Sequence, residues 1–199
     1  MIEKLSDISA RKFDLIVSLG LAILITVIAL SHDLFRDMAS AADSDFTAIY
    51  NALRFNDGFS QRIFDHTGYV YFVILSAWLK ALNLLHLIPI SKITELPGPA
   101  TFEPIWSNLI YAGRCLSILL SILSAILFYF ITKLVSNNRY IAAILGFLFV
   151  VSPGLVRQSL VMHTELPSFA FFLCALLCAF YAGRSKPWIE LGFVFLAAF

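Results

Sequence analysis

The chain has 199 residues, of which 60% are hydrophobic and 14% charged, against about 25% charged in ordinary soluble domains. With a mean hydropathy of +0.86, a soluble fold of this size has too little interior for so much apolar surface, so lipid must be the solvent for much of it. A net charge of +1 gives no basic field for nucleic acid, and the three cysteines (Cys115, Cys174, Cys178) sit in apolar runs as small hydrophobes rather than as disulfide partners or metal ligands.

The first apolar stretch is Leu15–Ser31, preceded by Lys4, Arg11 and Lys12. Ala39-Ser40-Ala41 resembles a signal cleavage site, but the stretch exceeds the usual apolar core and Ala41 lies ten residues beyond its end. An uncleaved anchor is the better reading. Three more apolar stretches are long enough to cross a bilayer: 109–132, uncharged from Cys115 onward, and the uncharged 140–156, ending near Pro153, and 166–183. An apolar run of thirteen residues, 187–199, starts a fifth, so the sequence reads as the N-terminal part of a longer one.

The stretch Tyr69–Ile88 is different. Its polar residues Ser76, Lys80, Asn83 and His86 recur at helical spacing and draw one stripe down a helix. Spanning would carry Lys80 to mid-membrane, at about 2.5–3.5 kcal/mol on insertion scales. Lying in the interface avoids that cost, and Tyr69, Tyr71, Phe72 and Trp78 suit the headgroup region. With 69–88 interfacial, every short inside segment is basic: Lys4, Arg11 and Lys12; Lys133 and Arg139; Arg184 and Lys186. That satisfies the positive-inside rule. The expected fold is therefore an all-α polytopic transmembrane bundle, N-terminus inside, with a long outer loop (residues 32–108) carrying juxtamembrane amphipathic helices. A short second outer loop runs over 157–165.

The first outer loop holds six Asp and three Arg between Ser31 and Gly68. Its densest acidic point is Asp43-Ser44-Asp45, followed by Phe46, Ile49, Tyr50 and Leu53 at helical spacing. A short helix starts there, and Asp43 or Ser44 would also serve as a plain N-cap. Asn56-Asp57-Gly58 signals a turn. His66, beside Asp65, suits a metal or a phosphate, or simply water; Arg62 equally suits water. Arg114 opens the uncharged core of the second span, while Arg157 and Glu165 bracket the second outer loop. Arginines at membrane level beside carboxylates make a seat for a lipid phosphate.

This ordered set resembles the GT-C superfamily of membrane glycosyltransferases, of the protein mannosyltransferase and aminoarabinose-transferase type, with the oligosaccharyltransferase catalytic subunit more distant. The resemblance runs over nearly the whole chain. It consists of Asp43 with Gly58 fifteen residues on, Asp65-His66-Thr67-Gly68-Tyr69 leading into an aromatic interfacial helix, Ala112-Gly113-Arg114, and Ser152-Pro153 followed by Arg157 and Glu165. The chain departs from the family where an Asp-Glu pair reads Asp43-Ser44-Asp45 and where Thr67 replaces a proline. The resemblance implies transfer of a sugar from a polyprenyl-phosphate donor to a lipid, glycan or protein acceptor hydroxyl, with inversion. It implies Asp43 or Asp45 as general base, and Arg157 with Arg62 or Arg114 at the donor phosphate. His66 and Tyr69 would lie at the substrate-facing wall. Glu165 and the second Asp would position the acceptor or a divalent cation, so Asp45 and Glu165 are the candidate cation ligands. The implied setting is a bacterial inner membrane, with the site facing the periplasm. A lipid or anion transporter and a non-catalytic scaffold are the competing classes. A transporter calls for intramembrane charges and broken helices in paired halves, whereas these spans read as clean.

Overall fold

The computed structural model describes residues 2–32, 34, 43–60 and 68–182, with residues 2–10, 43, 99 and 100 described in their backbone only. Arg62, His66, Arg184, Lys186 and the run 187–199 lie outside the described residues. The protein is an all-α membrane bundle. Its helices are α1 (Ile2–Ser31), α2 (Asp43–Asn56), α3 (Tyr69–Leu84), α4 (Pro99–Ser136), α5 (Arg139–Val150), α6 (Pro153–Leu160) and α7 (Glu165–Ala182), with a 3-10 turn at Ile93–Glu95. Among the described residues, three helical stretches are long and apolar enough to cross a membrane: Arg11–Ser31, Thr101–Ser136 and Glu165–Ala182. The bent pair α5 and α6 makes a fourth if counted as one span.

The chain divides into two compact units. The first holds α1 up to Ile28, the stretch Leu120–Val156 and α7 from Ser168 on. Here glycines let helices approach closely. A side-chain carbon at Gly20 would press the Phe147 ring at 3.3 Å, and one at Gly146 would touch Leu21. Leu15, Ile16, Leu19, Ile23 and Val27 turn outward from α1, as an unbroken lipid-facing stripe requires. Asp14 near the head of α1 accepts from Tyr129 Oη at 2.6 Å and from Lys133 Nζ. A carboxylate this close to an apolar stretch is neutralised by a cation from α4.

The expected clean span over 140–156 is not straight. α5 ends at Val150, and α6 leaves at 56°. Pro153 accounts for the break: it has no N–H to donate, its ring clashes with the carbonyl four residues back, and it disfavours helical backbone at Ser152. Proline is well suited to open the next helix. Ser152 Oγ lies 3.4 Å from the Leu155 N–H and caps that new start.

The second unit comprises Ala29–Leu119 and Arg157–Pro167. Its α2 buries Asp45, Ala48, Ile49, Ala52 and Leu53, the positions i, i+3, i+4, i+7 and i+8 of one helix face. The Asn56-Asp57-Gly58 turn ends α2, with Gly58 at φ +80°, where glycine is favoured. Both polar residues of that turn also tie it down. Asn56 Nδ2 donates to the carbonyls of Ser76 (3.1 Å) and Ser91 (2.9 Å), and its Oδ1 accepts from Ser76 Oγ (2.7 Å). Asp57 accepts from the Thr94 backbone and hydroxyl.

α3 has 16 residues, so it is about 24 Å long at 1.5 Å per residue. That is short of the roughly 30 Å hydrocarbon core. Its polar stripe differs from the one the spacing suggests. Ser76 is buried against Asn56, and Asn83 donates to the Ile88 carbonyl. The outward face is instead Val70, Val73, Lys80 and Leu84. The period is right, but two of the four polar residues face the protein, where Ser76 meets the Asn56 amide and Asn83 a backbone carbonyl.

Truncating Asn56 leaves two carbonyls and a hydroxyl unpaired, at about 1–3 kcal/mol for buried groups. Asn56→Ala is expected to lower the thermal midpoint of the detergent-solubilised protein by several degrees. An unchanged midpoint would show that this docking of α2 on α3 contributes nothing.

Candidate active site at the head of α2

α2 opens with Asp43, Ser44 and Asp45, and the two carboxylates have different fates. Asp45 points into the protein and is fully buried. Its Oδ2 accepts from both Arg114 Nε at 3.1 Å and Nη2 at 2.9 Å, two charge-assisted bonds converging on one oxygen. Its Oδ1 accepts the Met162 backbone N–H at 2.8 Å. Arg114, 2% exposed, completes its fork by donating Nη1 to the Leu34 carbonyl at 3.0 Å. One ion pair thus joins α2, α4, Leu34 three residues past α1, and the segment between α6 and α7. Tyr71 and Ser117 are buried nearby. Burial, aided by the Asp45 charge and opposed by the Ser117 hydroxyl, holds the Tyr71 phenol well above its ordinary value. It therefore stays protonated across any physiological pH.

The segment 161–164 is fitted closely to this frame. A side-chain carbon at Gly113 would collide with the Met162 sulfur, and one at Gly68 with the Thr164 side chain. Only glycine permits either approach. The segment delivers Glu165 to the start of α7, where its side chain is 70% exposed and Oε2 lies 3.7 Å from His163 Nδ1. A cleft of about 260 Å³ opens beside it, lined by Ser44 and Thr47 from α2, Phe72 from α3, and Met162, His163 and Glu165. The head of α2 and the entry to α7, some 120 residues apart in sequence, share its rim.

Of the residues singled out from sequence, the structure brings Asp45 and Arg114 into contact with each other. It places Glu165 on the cleft with Ser44, the neighbour of Asp43. Arg157 is exposed on α6, with no ion-pair partner among the described residues. Tyr69 opens α3, exposed, with its ring edge-on to Phe55 at 5.4 Å. Sequence reasoning missed the Met162 N–H, the Leu34 carbonyl and the cleft residues Thr47 and His163. Gly68 and Gly113 were the available signals for the segment's close approach. Among the described residues no group of three or more His, Cys, Asp or Glu side chains could hold a metal ion. Asp45, an expected cation ligand, is taken up by a guanidinium and a backbone N–H.

Residues 90–199, more than half of the chain, match the model of the dolichyl-phosphate-mannose-protein mannosyltransferase family. The chain belongs to that family. It is a multi-pass membrane glycosyltransferase of the GT-C type, from a family that uses polyprenyl-phosphate-linked sugar donors. The matched region includes Arg114, Arg157 and Glu165, while α2 and α3 lie before it. No curated protein and no solved structure matches the chain.

Removing one partner of a buried ion pair strands the other, at about 3–5 kcal/mol. Asp45→Ala and Arg114→Ala are each expected to destabilise the glycosyltransferase by this amount. The double variant should cost clearly less than the sum, because neither charge is then left alone. Thermal or denaturant unfolding of the four proteins checks it, and strict additivity would contradict the coupling.

Proposed function

We propose that the protein transfers a sugar from a polyprenyl-phosphate donor to an acceptor hydroxyl on the non-cytoplasmic face, with Asp43 as general base. The observation that carries this reading is the shared cleft: the head of α2 and Glu165 bound one recess. Asp45 is a poor base, because its carboxylate is buried and already accepts three hydrogen bonds. Its neighbour Asp43 opens the same helix, beside a cleft-lining serine.

In this reaction Asp43 takes the acceptor hydroxyl proton as the oxygen attacks the anomeric carbon. The bond from that carbon to the phosphate oxygen breaks, configuration inverts, and polyprenyl phosphate leaves. Arg157 faces the leaving phosphate, since an unpaired guanidinium can bind it with two N–H groups. Arg62 and His66 are further candidates for the phosphate, and Tyr69 for the wall facing the lipid. Glu165 orients the acceptor. Arg114 acts from behind, through Asp45. No cation is placed on Asp45, which arginine already neutralises. The short α3 lies in the interface with Val70, Val73 and Leu84 toward lipid, and Lys80 snorkels to the headgroups. In this reading the basic segments at the N-terminus and at Lys133–Arg139 lie in the cytoplasm.

Two experiments on the full-length enzyme test this. Asp43→Asn is expected to reduce transfer by about 10²–10⁴-fold, the usual contribution of general-base catalysis. Arg157→Ala should raise the donor KM, with Arg157→Lys in between. Full activity in Asp43→Asn sinks the base assignment. Single cysteines at Ser60, Lys92 and Asn137, in a background without the three native cysteines, report the topology. The first two are expected to label from outside and Asn137 from inside. Labelling of Lys92 from inside would put α3 across the membrane and separate Asp43 from Glu165.

A further inference from the structure

We infer that the Asp45–Arg114 pair is a positioning device for the acceptor: it sets the backbone at Met162 and through it the His163–Glu165 rim of the cleft. The inference rests on the glycosyltransferase reading above but assigns the pair to seating the acceptor, not to the phosphate or the proton. Three contacts fix the segment. Asp45 Oδ1 holds the Met162 N–H at 2.8 Å, the Met162 sulfur packs on Gly113 next to Arg114, and the Thr164 side chain packs on Gly68. The first is polar and directional. It depends on Asp45 being held by Arg114, because burial of a charge without its partner is costly and the carboxylate would turn away. Residues 163–165 follow within three positions, and all three line the cleft.

The chemistry of the cleft indicates which substrate feels the displacement. Its polar lining is the hydroxyls of Ser44, Thr47 and Thr164, the His163 ring and the Glu165 carboxylate, over Phe72. Hydroxyls and a carboxylate suit a hydroxyl-bearing acceptor, and among the described residues no arginine or lysine lines this recess to pair with a phosphodiester. Arg157, on α6, is not among the lining residues. Loosening the segment should therefore weaken acceptor binding and leave donor binding alone.

The test compares full-length wild type, Asp45→Asn, Arg114→Gln and the double variant. In Asp45→Asn the amide must turn its NH2 toward either Arg114 or the Met162 N–H, so one bond is lost. In the double variant the Asn oxygen keeps the Met162 N–H and its NH2 donates to the Gln oxygen, a neutral pair of similar shape. Each single variant is expected to raise the acceptor KM by about tenfold, with the donor KM unchanged, as small misplacements of a positioning element do. The double variant should recover most of that loss. If kcat falls with both KM values unchanged, or the donor KM moves instead, or the folded double variant is no better than the singles, the inference is wrong. Gly113→Ala provides a second route should the singles not fold. It displaces Met162 without touching the charges and should give the same acceptor-specific rise; a normal acceptor KM there overturns the proposal.

A readout without turnover separates this failure from failure of the proposed function. A reporter cysteine at His163, in the background lacking native cysteines, should react faster with a soluble thiol reagent in each single variant and near the parent rate in the double. If that pattern holds but no protein in the set transfers sugar, the functional reading fails and the positioning contact stands. If reactivity is the same in all four, the contact itself does not hold the segment.

Discussion

A carboxylate and a guanidinium, both sealed from solvent, organise the second unit of this protein. Burying either charge alone would cost several kcal/mol, and even a good pair regains little net stability. The pair is therefore better understood through what it specifies. Asp45 has four lone-pair sites, and Arg114 and Met162 use three. Arg114 gives its remaining prong to Leu34. Four separate chain segments satisfy one another's polar groups at one point, and a shift of any of them leaves a buried donor or acceptor unmet. Hydrophobic packing around it is softer and non-directional. The head of α2 and the entry to α7 therefore have one way to meet.

The same constraint separates two carboxylates that the sequence presents as equals. Asp43 and Asp45 stand two residues apart, so a helix turns them about 200° from each other. If one faces the interior the other cannot. With Asp45 buried and paired, the role of base in the proposed reaction falls to Asp43. A helix that must be both anchored and reactive at its first turn can use a pair of acidic residues at this spacing, one for each task.

Some of this was legible before any coordinates. Asp45 is in phase with Ala48, Ile49, Ala52 and Leu53, so the apolar stripe already assigned it an inward position. Arg114 is in phase with Ile110, Ser117 and Ser121, all buried. Two opposite charges, each on the buried face of its helix, are natural partners, yet the loop composition around Asp45 suggested exposure and hid the match. The helices and the all-α class followed from hydropathy, and the end of α2 followed from Asn56-Asp57-Gly58. What escaped were features that belong to backbone groups or to close approach. The Met162 N–H has no side-chain signature. Gly68 and Gly113 signal that something comes near without saying what. In α3 the stripe of Ser76 and Asn83 looked like a solvent face, because composition does not tell a polar residue that meets water from one that meets a carbonyl.

The break between α5 and α6 is the feature that a transporter reading would claim, and its cause argues otherwise. Alternating-access folds place broken helices at matching positions of two repeats, with half-helix ends aimed at a substrate in mid-membrane. Here the discontinuity is local: Pro153 forces it and Ser152 caps the new start. Its product is α6, an eight-residue helix carrying Arg157, followed by the segment that Asp45 holds. The bend turns the chain from a span into a surface element that supplies an exposed cation, a clamped backbone amide and an exposed carboxylate within nine residues of sequence. A pore lining would spread its polar groups along the spans. This arrangement gathers the clamped amide and the carboxylate beside the head of α2, where the proposed transfer would take place.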